Sequence, residues 1–136
     1  MIPGCWIVCG GRRYADERRV FAILDAARSR LGLTYLIEGG ADGADKLARL
    51  WRGVRQVAGE TVEAEWTNLS HSDAVIRTRR DGTRYDALAG HRRNQRMLDE
   101  GDPEGLIAFP GGTGTADMVE RAERKPGVRL IKVDWQ

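Results

Sequence analysis

Apolar and polar positions follow two rhythms that take turns along this chain. The continuous apolar run Cys5-Trp6-Ile7-Val8-Cys9 reads as a first buried strand, and Gly10-Gly11-Arg12-Arg13-Tyr14 as the loop that ends it. Asp16 is placed to cap a helix from Glu17 to Arg30, where Val20, Phe21, Leu24, Ala27 and Leu31 recur at helical spacing until Gly32 closes it. The unit then repeats: a strand over Thr34 to Glu38, a glycine loop over Gly39 to Gly43, and a helix over Ala44 to Val57 with Leu47, Ala48, Leu50, Trp51 and Val54. Alternation over Thr61-Val62-Glu63-Ala64-Glu65-Trp66 predicts a third strand. A helix over Ala87 to Glu100, stopped by Gly101, leads into an apolar strand at Leu106, a third glycine loop, a further helix and a last strand over Val128 to Val133.

Strands separated by helices of this length imply parallel pairing with right-handed crossovers, hence an α/β, doubly wound, three-layer sandwich of about five mainly parallel strands. Every glycine loop follows a strand, so all of them fall on the carboxyl edge of the sheet, where this fold class binds ligands at the reversal of strand order. The third loop carries the most chemistry. In Phe109-Pro110-Gly111-Gly112-Thr113-Gly114-Thr115 the glycines let main-chain N–H groups approach a ligand. The helix that follows presents its unpaired N–H groups and positive dipole end to a phosphate or carboxylate. Thr113 and Thr115 add hydroxyl donors. The same glycines would also serve simple turns. Gly10-Gly11-Arg12 lacks the third glycine of the dinucleotide fingerprint and Gly111 to Thr115 lacks a Walker lysine, which argues against ordinary dehydrogenase and ATPase readings.

Composition adds bounds. The 136 residues suit a single domain spanning 1–136, and 22 basic against 20 acidic residues leave a net charge of +2, too small for a general argument about nucleic acid. With no leader pattern and no apolar run of membrane-spanning length, a soluble cytoplasmic protein without membrane contact is expected. Cys5 and Cys9 share one face of a strand and read as buried inert thiols. His71 and His91 show no metal-ligand spacing, so no metal or cofactor is expected.

Phe109-Pro110-Gly111-Gly112-Thr113-Gly114-Thr115 resembles the Pro-Gly-Gly-x-Gly-Thr signature of the SLOG superfamily, which includes the Lonely Guy phosphoribohydrolases and the Smf/DprA DNA-processing proteins. Val8 to Tyr14, Glu38-Gly39-Gly40-Ala41-Asp42-Gly43-Ala44-Asp45 and Ala89-Gly90-His91-Arg92-Arg93-Asn94 with Met97 are similar to the YspA/cpYpsA-related branch. The resemblance implies a Rossmann-like domain that binds a nucleotide or nucleotide derivative, often as a homodimer. It places Gly10, Gly11, Arg12, Gly39, Gly40, Asp45, Arg93, Asn94, Pro110, Gly111, Gly112, Thr113, Gly114 and Thr115 around the ligand. Arg93 aligns with the active-site arginine of the Lonely Guy enzymes, whereas their signature glutamate falls on Met118, which cannot ionise. Arg92 and Arg96 are expected at the surface and His91 is undecided.

Two functions of different class follow. In one, the domain senses or sequesters a nucleotide. In the other, it hydrolyses an N-glycosidic bond, with Arg93 orienting phosphate and Glu38, Asp117 or Asp42 doing acid–base work; Asp45 and Asp42 can equally hold a helix start and a turn. Residues 67–86 are polar and basic, with Asp81-Gly82 as a tight-turn signal among Arg77, Arg79, Arg80 and Arg84, and predict a basic hairpin or flap. That segment motivates a third, weaker reading as a DNA-binding accessory protein, with Tyr85 available for stacking.

Overall fold

The computed structural model describes residues 1–134. Five strands form one parallel sheet: β1 (Ile2–Cys9), β2 (Tyr35–Glu38), β3 (Ala58–Thr61), β6 (Pro103–Ala108) and β7 (Arg129–Lys132), in the order β3-β2-β1-β6-β7. The remaining strands, β4 (Ile76–Thr78) and β5 (Arg84–Asp86), make a separate antiparallel hairpin. Helices α1 (Glu17–Leu31) and α2 (Ala44–Arg55) pack together, as do α3 (Ala89–Gly101) and α4 (Thr113–Arg124). The expected Rossmann-like, doubly wound α/β sandwich is what the chain adopts.

Alternation along β1 divides the core. Trp6 and Val8 join the α1/α2 cluster with Val20, Leu24, Leu36 and Trp51, while Cys5, Ile7 and Cys9 join the α3/α4 cluster with Met97, Leu98, Leu106 and Met118. Both thiols are buried, as expected, and loss of solvation pushes Cys5 up to about 11 and Cys9 higher still. The N-terminus of α1 is capped as its sequence predicts, Asp16 accepting from the Arg19 N–H at 3.0 Å, and Gly32 ends it in the left-handed region with φ 73°.

Three boundaries differ from expectation. The third strand spans Ala58–Thr61, not Thr61 to Trp66. Helix α2 stops at Arg55 with Gln56 left-handed at φ 55°, so the chain turns back early and pairs Ala58 with Tyr35. Because β2 ends at Glu38, the alternating residues beyond Thr61 have only its last carbonyl, which accepts from the Val62 N–H at 2.8 Å. At the end of α3, Gly101 is the last helical residue and Asp102 takes the left-handed position at φ 42°; a Cβ on Gly101 would meet Ile37 Cδ1 at 2.7 Å. Strand β1 begins at Ile2, earlier than its apolar run, through an irregularity in pairing where Gly4 has φ 81°.

The sheet order reverses between β1 and β6. Strand β1 lies between β2 and β6, with β2 followed by one helix pair member and β6 by a member of the other, so the loops after β1 and β6 diverge and leave a crevice at their carboxyl ends.

Candidate functional site

One residue joins the three glycine loops. The Gly11 N–H donates to the Pro110 carbonyl at 2.9 Å, and the Gly11 carbonyl accepts from the N–H groups of Tyr14 and Ala44, both at 3.2 Å. Such close approach leaves no room for side chains: a Cβ on Gly10 would lie 2.5 Å from Ala44 Cβ and 2.9 Å from Phe109 Cβ, and one on Gly11 would lie 3.0 Å from Gly111 Cα. The sequence therefore spends these glycines on bringing backbone against backbone.

Above that joint lies a cleft of about 710 Å³, within the usual range for small-molecule sites. Its floor is the start of α4. Gly112 occupies the N-cap without a side-chain hydrogen bond, and the first helical bond runs from the Ala116 N–H to the Gly112 carbonyl at 3.0 Å. Gly111 is tightly packed, since a Cβ there would lie 2.6 Å from the Gly11 nitrogen. Gly112 and Gly114 are different. Nothing lies within 4 Å of where their Cβ atoms would be, and neither has positive φ. Thr113 is exposed and Thr115 buried beneath Gly111.

Helix α3 supplies the opposite wall. The Arg93 Nη1 donates to the Gly39 carbonyl at 2.6 Å and to the Val62 carbonyl at 3.4 Å, and its Nε donates to Asn94 Oδ1 at 3.1 Å. Burial pulls the Arg93 pKa down, with Arg12 adding repulsion, while Asp45 and Glu38 oppose the fall. Asn94 lines the cleft but its amide is already spent: Nδ2 donates to the Gly114 carbonyl at 3.2 Å and to Asp117 Oδ2 at 3.0 Å. It positions the start of α4. Arg12 lies 5.7 Å from the centre of the Trp66 ring. Together with Gly39, Gly40, Asp42 and Arg93, this pair lines a second cavity of about 340 Å³ that shares five residues with the first.

The four candidate carboxylates separate sharply. Glu38 is fully buried, accepts from the Gly40 N–H at 2.6 Å and from the Thr61 hydroxyl, and lies 3.7 Å from Arg52. It does not line the cleft. Asp117 also lies outside the lining and is bonded by Arg121 Nε at 2.9 Å and by Asn94. Burial raises its pKa, but those bonds and the charges of His91 and Arg121 prevail and hold it below the usual carboxylate range. Asp42 borders only the smaller cavity. Asp45 is the one carboxylate lining the main cleft among the described residues. It is 6% exposed; its Oδ2 accepts from the Ala41 N–H at 3.3 Å, and its Oδ1 is buried without a partner. Burial pushes its pKa up to about 7, against the opposing N–H bond of Ala41 and the charge of Arg93. Met118, on the position of the phosphoribohydrolase glutamate, is a buried thioether at the cleft wall.

Sequence reasoning overlooked Trp66 and Tyr14. Trp66 was assigned to a strand, yet it leaves the sheet, faces Gly90 where a Cβ would lie 3.0 Å from Cη2, and packs edge-on to Tyr85 with centroids 6.4 Å apart. Tyr14 stacks at 5.3 Å on Phe109, a core residue of the central loop. The arginines flanking Arg93 are also not idle surface charges. Arg92 bonds Asp73 at 2.7 Å and the buried Asp86, and Arg96 donates to the Glu63 carbonyl at 3.0 Å. Three nearby guanidiniums thus hold three stretches of the segment between β2 and α3. The basic 67–86 segment is a hairpin fixed at its base by Arg92, with Arg77, Arg79, Arg80 and Arg84 exposed.

Among the described residues no helix is long and apolar enough to cross a membrane, and no His, Cys, Asp or Glu grouping could hold a metal. No curated protein matched the chain. The model of the YspA, cpYpsA-related SLOG family matches residues 7–69, which carry the first two glycine loops, Glu38, Asp45 and Trp66. With the observed fold and the glycine loop after β6, that match makes the chain similar to the YspA-related branch of the SLOG superfamily.

Proposed function

We propose that the protein binds a nucleotide or nucleotide-derived ligand, as a sensor or sequestering domain, with phosphate at Pro110 to Thr115. The observation that carries this reading is the pair Gly112 and Gly114. A glycine inside a helix, as Gly114 is, is less favourable than alanine by about 1 kcal/mol, and neither crowding nor positive φ demands glycine at 112 or 114. What the two glycines provide is bare backbone N–H at a helix start, open to the cleft, which is the form of an oxyanion site. Arg93 and Arg12 on the other side supply compensating positive charge, and Trp66 an aromatic face. The similarity to that family supports a nucleotide-related role.

The arrangement favours binding over fast hydrolysis. Glycosidic cleavage needs a carboxyl group beside the reacting carbon or its water. Glu38 and Asp117 are committed to structural hydrogen bonds outside the cleft lining and Met118 offers no proton, which leaves Asp45 in the cleft without the second carboxylate of a paired mechanism. Homodimer formation, implied by the resemblance, belongs to the same proposal and is measured by light scattering.

The test is thermal stabilisation by a panel of nucleoside monophosphates, ADP-ribose, NAD and cyclic nucleotides, with chromatography of the same mixtures. A ligand specific to the folded state raises the melting temperature by mass action. Stabilisation without product is the expected result; absence of stabilisation by every compound overturns the proposal, and product formation replaces binding with turnover.

A further inference from the structure

The cleft has two unlike poles. One is the start of α4, where main-chain N–H groups face an opening with no side chain in it. The other is Asp45 at the start of α2, the one carboxylate lining the cleft among the described residues, whose Oδ2 accepts from the Ala41 N–H at 3.3 Å and whose charge the Gly39 N–H also favours. Asp45 could be dismissed as an acidic residue favouring its helix dipole, but such a residue gains from lying at the surface with its oxygens hydrated or capped. This one is 6% exposed and has fewer partners than its two oxygens can accept, which is costly unless something else completes the set.

We infer that Asp45 reads the sugar of the ligand: its carboxylate accepts a hydrogen bond from a ribose hydroxyl of a ribonucleotide whose phosphate lies at the start of α4. The inference rests on the function proposed above. A carboxylate can only accept, so its partner in the ligand must be a donor; it repels phosphate, so the anion belongs at the other pole. A 5′-phosphorylated ribose carries both features in one small unit, and its vicinal hydroxyls offer two donors to a group with two oxygens. Neighbouring geometry keeps the carboxylate in place. Asp45 Oδ2 lies 3.0 Å from the Cβ position of Gly39, whose carbonyl holds Arg93, and Ala44 beside it is tied to Gly11.

The experiment is titration calorimetry of wild-type protein, Asp45→Ala and Asp45→Asn with the ribonucleoside 5′-monophosphates and their 2′,3′-dideoxy counterparts, with circular dichroism confirming that each variant is folded. Wild type is expected to prefer the ribonucleotide by about ten- to a hundredfold, the range of a hydrogen bond to a charged group. Asp45→Ala should lose that preference while binding the dideoxy compound as wild type does, and Asp45→Asn, the conservative variant for which folding is safest, should keep a reduced preference. A preference that persists in Asp45→Ala, or equal binding of ribo and dideoxy compounds by wild type, overturns this inference and leaves nucleotide binding standing. Failure of wild type to bind any of these compounds overturns nucleotide binding, and this assignment with it.

Discussion

The loops of the crevice and the hairpin over residues 67–86 are both glycine-punctuated connections, yet they are held in different ways. In the crevice, backbone bonds backbone: Gly11 meets Pro110, Tyr14 and Ala44 with no side chain between. In the hairpin, side chains add to the backbone bonds at its base, since Arg92 grips Asp73 and Asp86, and Asp86 accepts the Val75 and Leu88 N–H groups at 3.1 and 3.0 Å. Its turn is local, with the Gly82 N–H donating to the Arg79 carbonyl at 3.0 Å and φ 87° at Gly82. The difference teaches where each region is vulnerable. Added bulk breaks the first, and lost charge loosens the second.

The strongest way to break the comparison is Gly10→Val, whose new side chain has Ala44 and Phe109 already in its space. Chemical denaturation should show a loss of about 3 kcal/mol. Next comes Asp45→Asn, expected to gain stability. A carboxyl whose pKa rises from 3.8 to about 7 on folding keeps more protons in the folded state, so its contribution is fully present below pH 3.8 and falls as pH rises toward 7. Arg93 and the Ala41 and Gly39 N–H groups oppose that rise, and Glu38 adds to it. Wild type and Asp45→Asn should therefore have similar stability near pH 4 and differ by about 2–3 kcal/mol near pH 8, in favour of the variant. Denaturation at both pH values decides it.

A subtler separation comes from Gly112→Ala combined with Gly114→Ala. Alanine gains up to about 1 kcal/mol at helical Gly114 and loses about as much at the N-cap Gly112, so stability should stay within about 1 kcal/mol of wild type. Nucleotide affinity should fall by about tenfold or more because methyl groups now cover the N–H groups. Unchanged affinity would show that these glycines serve no ligand. In the hairpin, Arg92→Ala should speed proteolytic cleavage within residues 67–86 while the main thermal transition stays cooperative. Smallest of all, neutralising Arg77, Arg79, Arg80 and Arg84 together should alter stability by less than about 0.5 kcal/mol per site and leave nucleotide affinity unchanged.

What the chain disclosed in advance was local or periodic. Asp16 and Gly32 mark the ends of α1 because capping and left-handed closure are determined by single residues. The glycine loops could be placed on one edge because parallel topology leaves them nowhere else. The third strand was misplaced because pairing depends on where β2 ends, a fact about a neighbour and not about the alternating run itself. Arg92 and Arg96 could not be distinguished from solvated charges by spacing alone, since their partners lie 19 and 33 residues away. Among the acidic candidates, sequence could name Glu38, Asp42, Asp45 and Asp117 but not rank them, because their accessibility and prior hydrogen bonds are decided only by packing. Trp66 illustrates the same limit: a residue that fits the strand pattern leaves the sheet to line the cleft.

The residue Gly11 makes the three loops a single linkage. Because its N–H is anchored to Pro110 and its carbonyl to Ala44, Gly11 ties the loop after β6 to the residue next to Asp45 through a single α-carbon. The two ends of the cleft are thus one residue apart in their backbone support.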